Sequence, residues 1–255
     1  MIECGSLDYA QARLQARHGQ RLDEAAWRRI EVMREFAGVL ELARTTALRR
    51  WLVGITAEST AHQIGAALRG HWRALVDELV SWMPGPWQAA LAWCAIVPDL
   101  GPLQHLARGG EQLPWMQSDN TVRALCEAPP QARAAVLGAG PLAALAVAWP
   151  APQLFGPAWL AEWRRRLPRP LGDADDALSR MVGTLAEHEA VFATAADGQG
   201  WLLRAALRER LALLLRRSSL EPAAAFIHLG LCALDMERLR SELLLRRLFA
   251  RWKLT

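Results

Sequence analysis

The chain is poor in lysine: Lys253 is the only one, and arginine supplies the rest of the positive charge. With a formal net charge of only +4, this skew reads as a preference for arginine over lysine, not as a nucleic-acid footprint. No RNP, zinc-finger or helix-turn-helix signature accompanies it, so no nucleic-acid partner is expected. Cysteine pairing is also missing. Cys4, Cys94, Cys126 and Cys232 are far apart, with no C-x-x-C pair and no histidine at metal spacing, which reads as free thiols in a reducing compartment. The opening residues "MIECGSLDYAQARL" lack a basic start followed by an apolar run, so a secretory signal is not expected.

Other absences concern chemistry. Walker A and G-x-G-x-x-G are not found, and "GAGP" at 138–141 lacks both a third glycine and a preceding strand. None of the six histidines forms H-E-x-x-H or another paired-ligand spacing. Glu187, His188 and Glu189 are consecutive and point away from one another on a helix, which reads as a solvated face. Asp173, Asp175 and Asp176 read as a helix cap with favourable dipole charge. No catalytic residue, metal ligand or cofactor is therefore assigned. The uncharged stretch Ala134 to Ala161 is interrupted by prolines at 141, 150, 152 and 157, before it reaches the roughly 20 continuous residues of a membrane span. It reads as a buried helix with a Pro-rich connection, and secondarily as an apolar docking surface.

What is present is helical periodicity. Period-two alternation rich in Val, Ile and Thr is absent, so the expected class is all-α. Asp23 is placed to cap a helix in which Ala26, Ile30, Met33, Ala37 and Leu40 share one face, with Leu22 and Trp27 as its hydrophobic staple. A second stripe, Ile64, Leu68, Trp72, Leu75, Leu79 and Trp82, predicts a helix over 61–82 that ends at "PGP". A short helix is expected at 87–96, another after Asp99 as a cap, and further helices at 121–126, 131–149, 158–166, 173–194 and 201–217. The last starts near Pro222 and runs towards Arg251. "WRRRLPR" at 163–169 reads as a solvated helix end, or as a patch for an acidic partner.

In "LDMERLRSELLLRR", residues 234–247, Cys232 (just before the stretch), Met236, Leu239 and Leu243 form an apolar stripe. Asp235 with Arg238, and Glu242 with Arg246, are spaced for intrahelical pairs, leaving the other arginines for a partner. This stretch resembles the C-terminal signature of the C-type connector subunit of V/A-type rotary ATPases, the counterpart of the d-type subunit in eukaryotic vacuolar ATPases. Pro222, Asp235, Met236, Leu239 and Arg240 match the pattern. His228 stands where tyrosine is usual, Arg238 replaces an asparagine, and Gly230 and Leu231 replace a Lys-Glu pair. "YAQARLQARHGQRL" at 9–22 resembles the family's opening motif, and "DLGPLQHLARGG" at 99–110 its internal Asp-Leu-x-Asn-Leu helix, with Pro102 for asparagine. The three matches keep the family's order; the region from about 112 to 171 carries no motif that places it on the family pattern and reads as a contracted middle subdomain.

The resemblance implies antiparallel helical subdomains in a pseudo-threefold funnel, spanning 1–58 plus 195–255, 59–118 and 119–194. It implies a non-catalytic central-stalk connector that links the rotor shaft subunits to the membrane rotor ring and transmits torque for proton or sodium transport. The location implied is cytoplasmic, peripheral to the inner membrane. Arg13, Arg17 and Arg240 match basic motif positions and are the candidate partner-binding residues. A helical adaptor outside the rotary machine, and a soluble helical enzyme, are the rival readings.

Overall fold

The computed structural model describes residues 4–172 and 174–249, with side chains from Leu7 onward. The Cys4 thiol, the Asp173 cap and the continuation of the last helix towards Arg251 lie outside the described residues. Among the described residues the fold is all-α, with twelve α-helices, short 3-10 turns and no strand. The last helix, α12 (Ala223–Phe249), is its axis: fourteen of its residues are buried. It packs against α1 (Cys4–Gly19), α3 (Phe36–Arg44), α4 (Ala61–Trp82), α10 (Ala174–Ala193) and α11 (Gly200–Arg217). Segments from all three subdomain ranges thus meet on one helix, and their apolar side chains merge into one buried cluster. Each fully buried Leu, Ile or Phe contributes about 1.5–3 kcal/mol by leaving water.

The helix α4 forms as the periodicity predicts, with all six stripe residues buried. Thr60 accepts from the Gln63 backbone N–H at 3.2 Å, and the Gln63 side chain accepts from the Thr60 N–H at 2.8 Å, a reciprocal cap. Asp23 also caps as expected, accepting from Ala26 N–H at 2.7 Å, and Trp27 is fully buried.

The helix predicted to run on through Met33 breaks there instead. α2 (Glu24–Val32) stops, Met33 is extended, and α3 begins at Phe36. The cause lies far along the chain. The Arg246 guanidinium donates to the carbonyls of Ile30, Glu31 and Met33 at 3.0, 2.8 and 2.6 Å. These carbonyls lie where the α-helical ladder stops, the Ile30 oxygen accepting from Met33 N–H as well, and a cation suits the negative end of the helix dipole.

The middle of the chain is also more broken than its periodicity suggests. α5 (Gly85–Trp93) runs into a 3-10 turn over Cys94–Asp99, followed by α6 (Leu100–Ala107), and α7 is one short turn, Arg123–Glu127. The expected helix over 131–149 divides into α8 (Arg133–Ala139) and a 3-10 segment, Ala143–Ala148. Gly140 is extended, and Pro141 has no N–H to continue the ladder. α9 (Phe155–Arg166) closes this region against α5. At its basic end Glu162 accepts from Arg165 and Arg166 at 2.7 Å and Arg166 stacks over Trp93, while Arg164 and Arg165 remain exposed, as a solvated helix end.

Candidate functional site

Two of the cavities beside α12 concern the candidate residues, each with arginine at its edge. The first, about 370 Å³, lies between the end of α1, the 3-10 turn Ala47–Trp51 and α12. At its wall, Asp235 receives two hydrogen bonds from Arg21, from Nε at 2.7 Å and Nη2 at 2.8 Å, and Arg21 also donates to the Leu231 carbonyl at 3.3 Å. A two-point guanidinium–carboxylate pair fixes orientation as well as charge. Asp235 therefore joins α12 to the end of α1, not to Arg238 on its own helix. Arg238 crosses to α2, bonding Glu24 at 2.7 Å and Glu31 at 2.6 Å while stacking over Trp27. Glu242 and Arg246 do pair, at 2.6 Å. The α12 arginines 238 and 246 are thus engaged inside the fold and not free for a partner.

His228 and Cys232 lie one turn apart beside this pair, with Sγ 3.4 Å from Nε2. Burial, reinforced by Arg21, His18 and Arg17, lowers the His228 pKa to about 3. Burial raises the Cys232 thiol to about 12. Both groups are neutral near pH 7, so they do not form the thiolate–imidazolium pair that a cysteine nucleophile uses. His228 Nδ1 has no hydrogen-bond partner among the described residues.

The second cavity, about 670 Å³, is a more apolar groove between α4, α6, the 3-10 turn Pro114–Ser118 and α12. Leu68, Trp72, Val97, Met116, Met236 and Leu244 contribute its apolar surface. Behind its wall, and not lining it, Asp99 is buried and receives both hydrogen bonds from Nη2 of Arg73, at 2.8 and 2.9 Å. Arg73 also reaches Thr121, and Arg69 pairs with Asp119 at 3.2 Å while stacking over Trp115 at 4.0 Å. Asp99 does not cap α6 through its side chain as the sequence suggested; the carboxylate turns inward to these guanidiniums. Burial raises its pKa, with Arg73 opposing.

Arg13, exposed, lies over Tyr9 and Trp82, 5.5 and 4.9 Å from the ring centres. Arg17 pairs with Glu78, lies 5.8 Å from Trp82 and lines the first cavity. Arg240 pairs with Glu237 at 3.3 Å and lines the second. The fold thus brings Arg13 and Arg17 together at Trp82 and sets Arg240 in a different groove. Sequence reasoning did not single out Arg21, Arg49, Arg50, Arg69 or Arg73. One signal was available for two of them: Arg69 and Arg73 are four apart, each following a buried stripe residue, Leu68 and Trp72.

Among the described residues, no group of three His, Cys, Asp or Glu side chains is arranged to hold a metal ion. No described helix is long and apolar enough to cross a membrane. Compared with known proteins, the chain matches no family model, no curated protein and no solved structure.

Proposed function

We propose that the protein is a non-catalytic connector of a V/A-type rotary ATPase, seated peripherally between the rotor shaft subunits and the membrane rotor ring on the cytoplasmic side. The observation that carries this reading is the fate of the three stretches that resemble the C-type connector of those machines. Arg21, in the first, bonds Asp235, in the last, through Nε and Nη2, and Asp99, the acid of the middle one, is buried and receives both of its hydrogen bonds from Nη2 of Arg73. Residues that match separate motifs therefore serve one purpose, fastening helices to one another. Such fastening suits a part that carries load through its framework and does no chemistry.

The groove beside Arg240 supports the partner side of the reading. An apolar trough about 670 Å³ in volume, edged by Glu237 and Arg240, fits the manner in which an amphipathic helix docks. A pseudo-threefold funnel, with the shaft on the arginine-bearing side and the ring against a more apolar rim, completes the proposal.

Co-expression with the shaft and ring subunits of a rotary ATPase from the same genome tests it. Co-purification with both is expected. Charge reversal at Arg13 and Arg240 should weaken the shaft association without changing helicity, because neither residue has a buried ion-pair partner among the described residues. A folded protein that recovers neither partner would overturn the connector reading and favour a helical adaptor outside the machine.

A further inference from the structure

The first cavity carries more positive charge than the fold uses. Arg17, Arg21, Arg49 and Arg50 line it, against one carboxylate in the lining, Asp235. Arg21 is matched by Asp235, and Arg17 by Glu78 outside the lining. Arg49 and Arg50 have no carboxylate partner among the described residues; both line this cavity from the Ala47–Trp51 turn, Arg49 at its exposed edge, and Arg50 also borders a smaller cavity beside Glu78. The remaining wall is largely apolar or neutral, with Leu22, Leu48, Trp51, Cys232 and the neutral imidazole of His228. Guanidiniums set into such a wall concentrate anions more strongly than the same charges on an open surface.

We propose that this cavity binds a small phosphate dianion, either inorganic phosphate or a compact phosphomonoester. Two unmatched guanidiniums call for about two negative charges, and the planar N–H fork of arginine fits phosphate oxygens. Arg17 and Arg21 are held by Glu78 and Asp235, so their remaining N–H groups stand in fixed positions and need little ordering on binding. The Thr45 and Thr46 hydroxyls donate to the Leu42 and Ala43 carbonyls at 2.7 Å, which leaves recognition to the guanidiniums. A volume of about 370 Å³ holds a phosphate with a few attached carbons. This site goes beyond the connector reading and does not depend on it.

The test is calorimetric titration of the full chain with inorganic phosphate and, separately, with glycerol phosphate, against sodium chloride of equal ionic strength. One-to-one saturable binding is expected, with Tm rising by about 3–5 °C at ten times Kd. Tighter binding of the ester identifies a small phosphomonoester as the ligand, whereas tighter binding of phosphate identifies the free anion; either supports the site. Changing Arg49→Gln and Arg50→Gln together should lower affinity at least about tenfold while leaving the unliganded Tm within about 1 °C, since neither guanidinium fastens the fold. Absence of saturable binding by the wild type, an equal Tm rise in chloride, or undiminished affinity in the double variant would each overturn the proposal.

Discussion

Asp99 and Asp235 occupy similar sequence settings, an acid ahead of leucines, and each receives two hydrogen bonds from a distant arginine, Asp235 from Nε and Nη2 of Arg21 and Asp99 from Nη2 of Arg73 alone. Their surroundings differ. Around Asp99 the network is closed: Arg69, Asp119 and Thr121 join Arg73, and the carboxylate is 1% exposed. Around Asp235 it is open, because the carboxylate faces a cavity with unmatched arginines and a neutral histidine. The same fastening can serve the framework alone, or serve the framework and leave a charged surface available.

The largest effect should come from breaking the closed network. Arg73→Gln leaves Asp99 buried with only Arg69, 3.9 Å away, and should cost about 3–5 kcal/mol in urea unfolding. Arg21→Gln should cost less, about 2–4 kcal/mol, because water from the cavity can reach Asp235. A reversed order would break the comparison.

Acid should separate the two regions by sign. His228, with its folded-state pKa lowered to about 3, supports folding fully above 6.5 and loses that support as pH falls from 6.5 towards 3. The loss is roughly 3–5 kcal/mol, and His228→Leu should flatten the fall of Tm over this range. Asp99 acts oppositely. Its raised carboxyl favours the folded state below its ordinary value of 3.8, and that contribution declines as pH rises through the folded-state pKa. Asp99→Asn should therefore remove a component of the pH profile opposite in slope to that of His228.

Smaller changes sharpen the picture. Below about pH 4.5, protonation of Glu24 and Glu162, both held down to about 2 chiefly by arginine hydrogen bonds, should erode stability further. A Glu24→Gln, Glu162→Gln variant should show a shallower decline between pH 4.5 and 2. The smallest effect is local: Thr60→Ala removes the reciprocal cap of α4 and should cost about 1 kcal/mol, equally in the presence and absence of phosphate.

The α4 stripe and the Asp23 cap were legible because periodicity and capping are properties of adjacent residues. The break at Met33 was not, because its cause is Arg246, more than two hundred positions away. Helical spacing likewise pointed Asp235 to Arg238, yet cross-helix partners at Arg21, Glu24 and Glu31 compete successfully for both. Burial strengthens the Arg21–Asp235 contact relative to an exposed pair along one helix, and Arg238 gains two carboxylates and the face of Trp27 in place of one. The first cavity could not be read from sequence because Arg21, Arg49, Arg50 and His228 come from three separated segments. The break at Gly140–Pro141 had a visible signal, the proline, which the apolar pattern around it outweighed.

The reach of α12 bears on how the molecule is made. Arg246 bonds Ile30 across 216 positions, and Arg21 bonds Asp235 across 214. During synthesis, α1, α2 and α3 leave the ribosome long before the helix that covers their apolar faces. Closing so long a loop is an entropic barrier met late, and the apolar surface of the early helices stays open to misassociation until then. Demand for a chaperone should therefore follow the time taken to translate the intervening segment more closely than the stability of the finished fold.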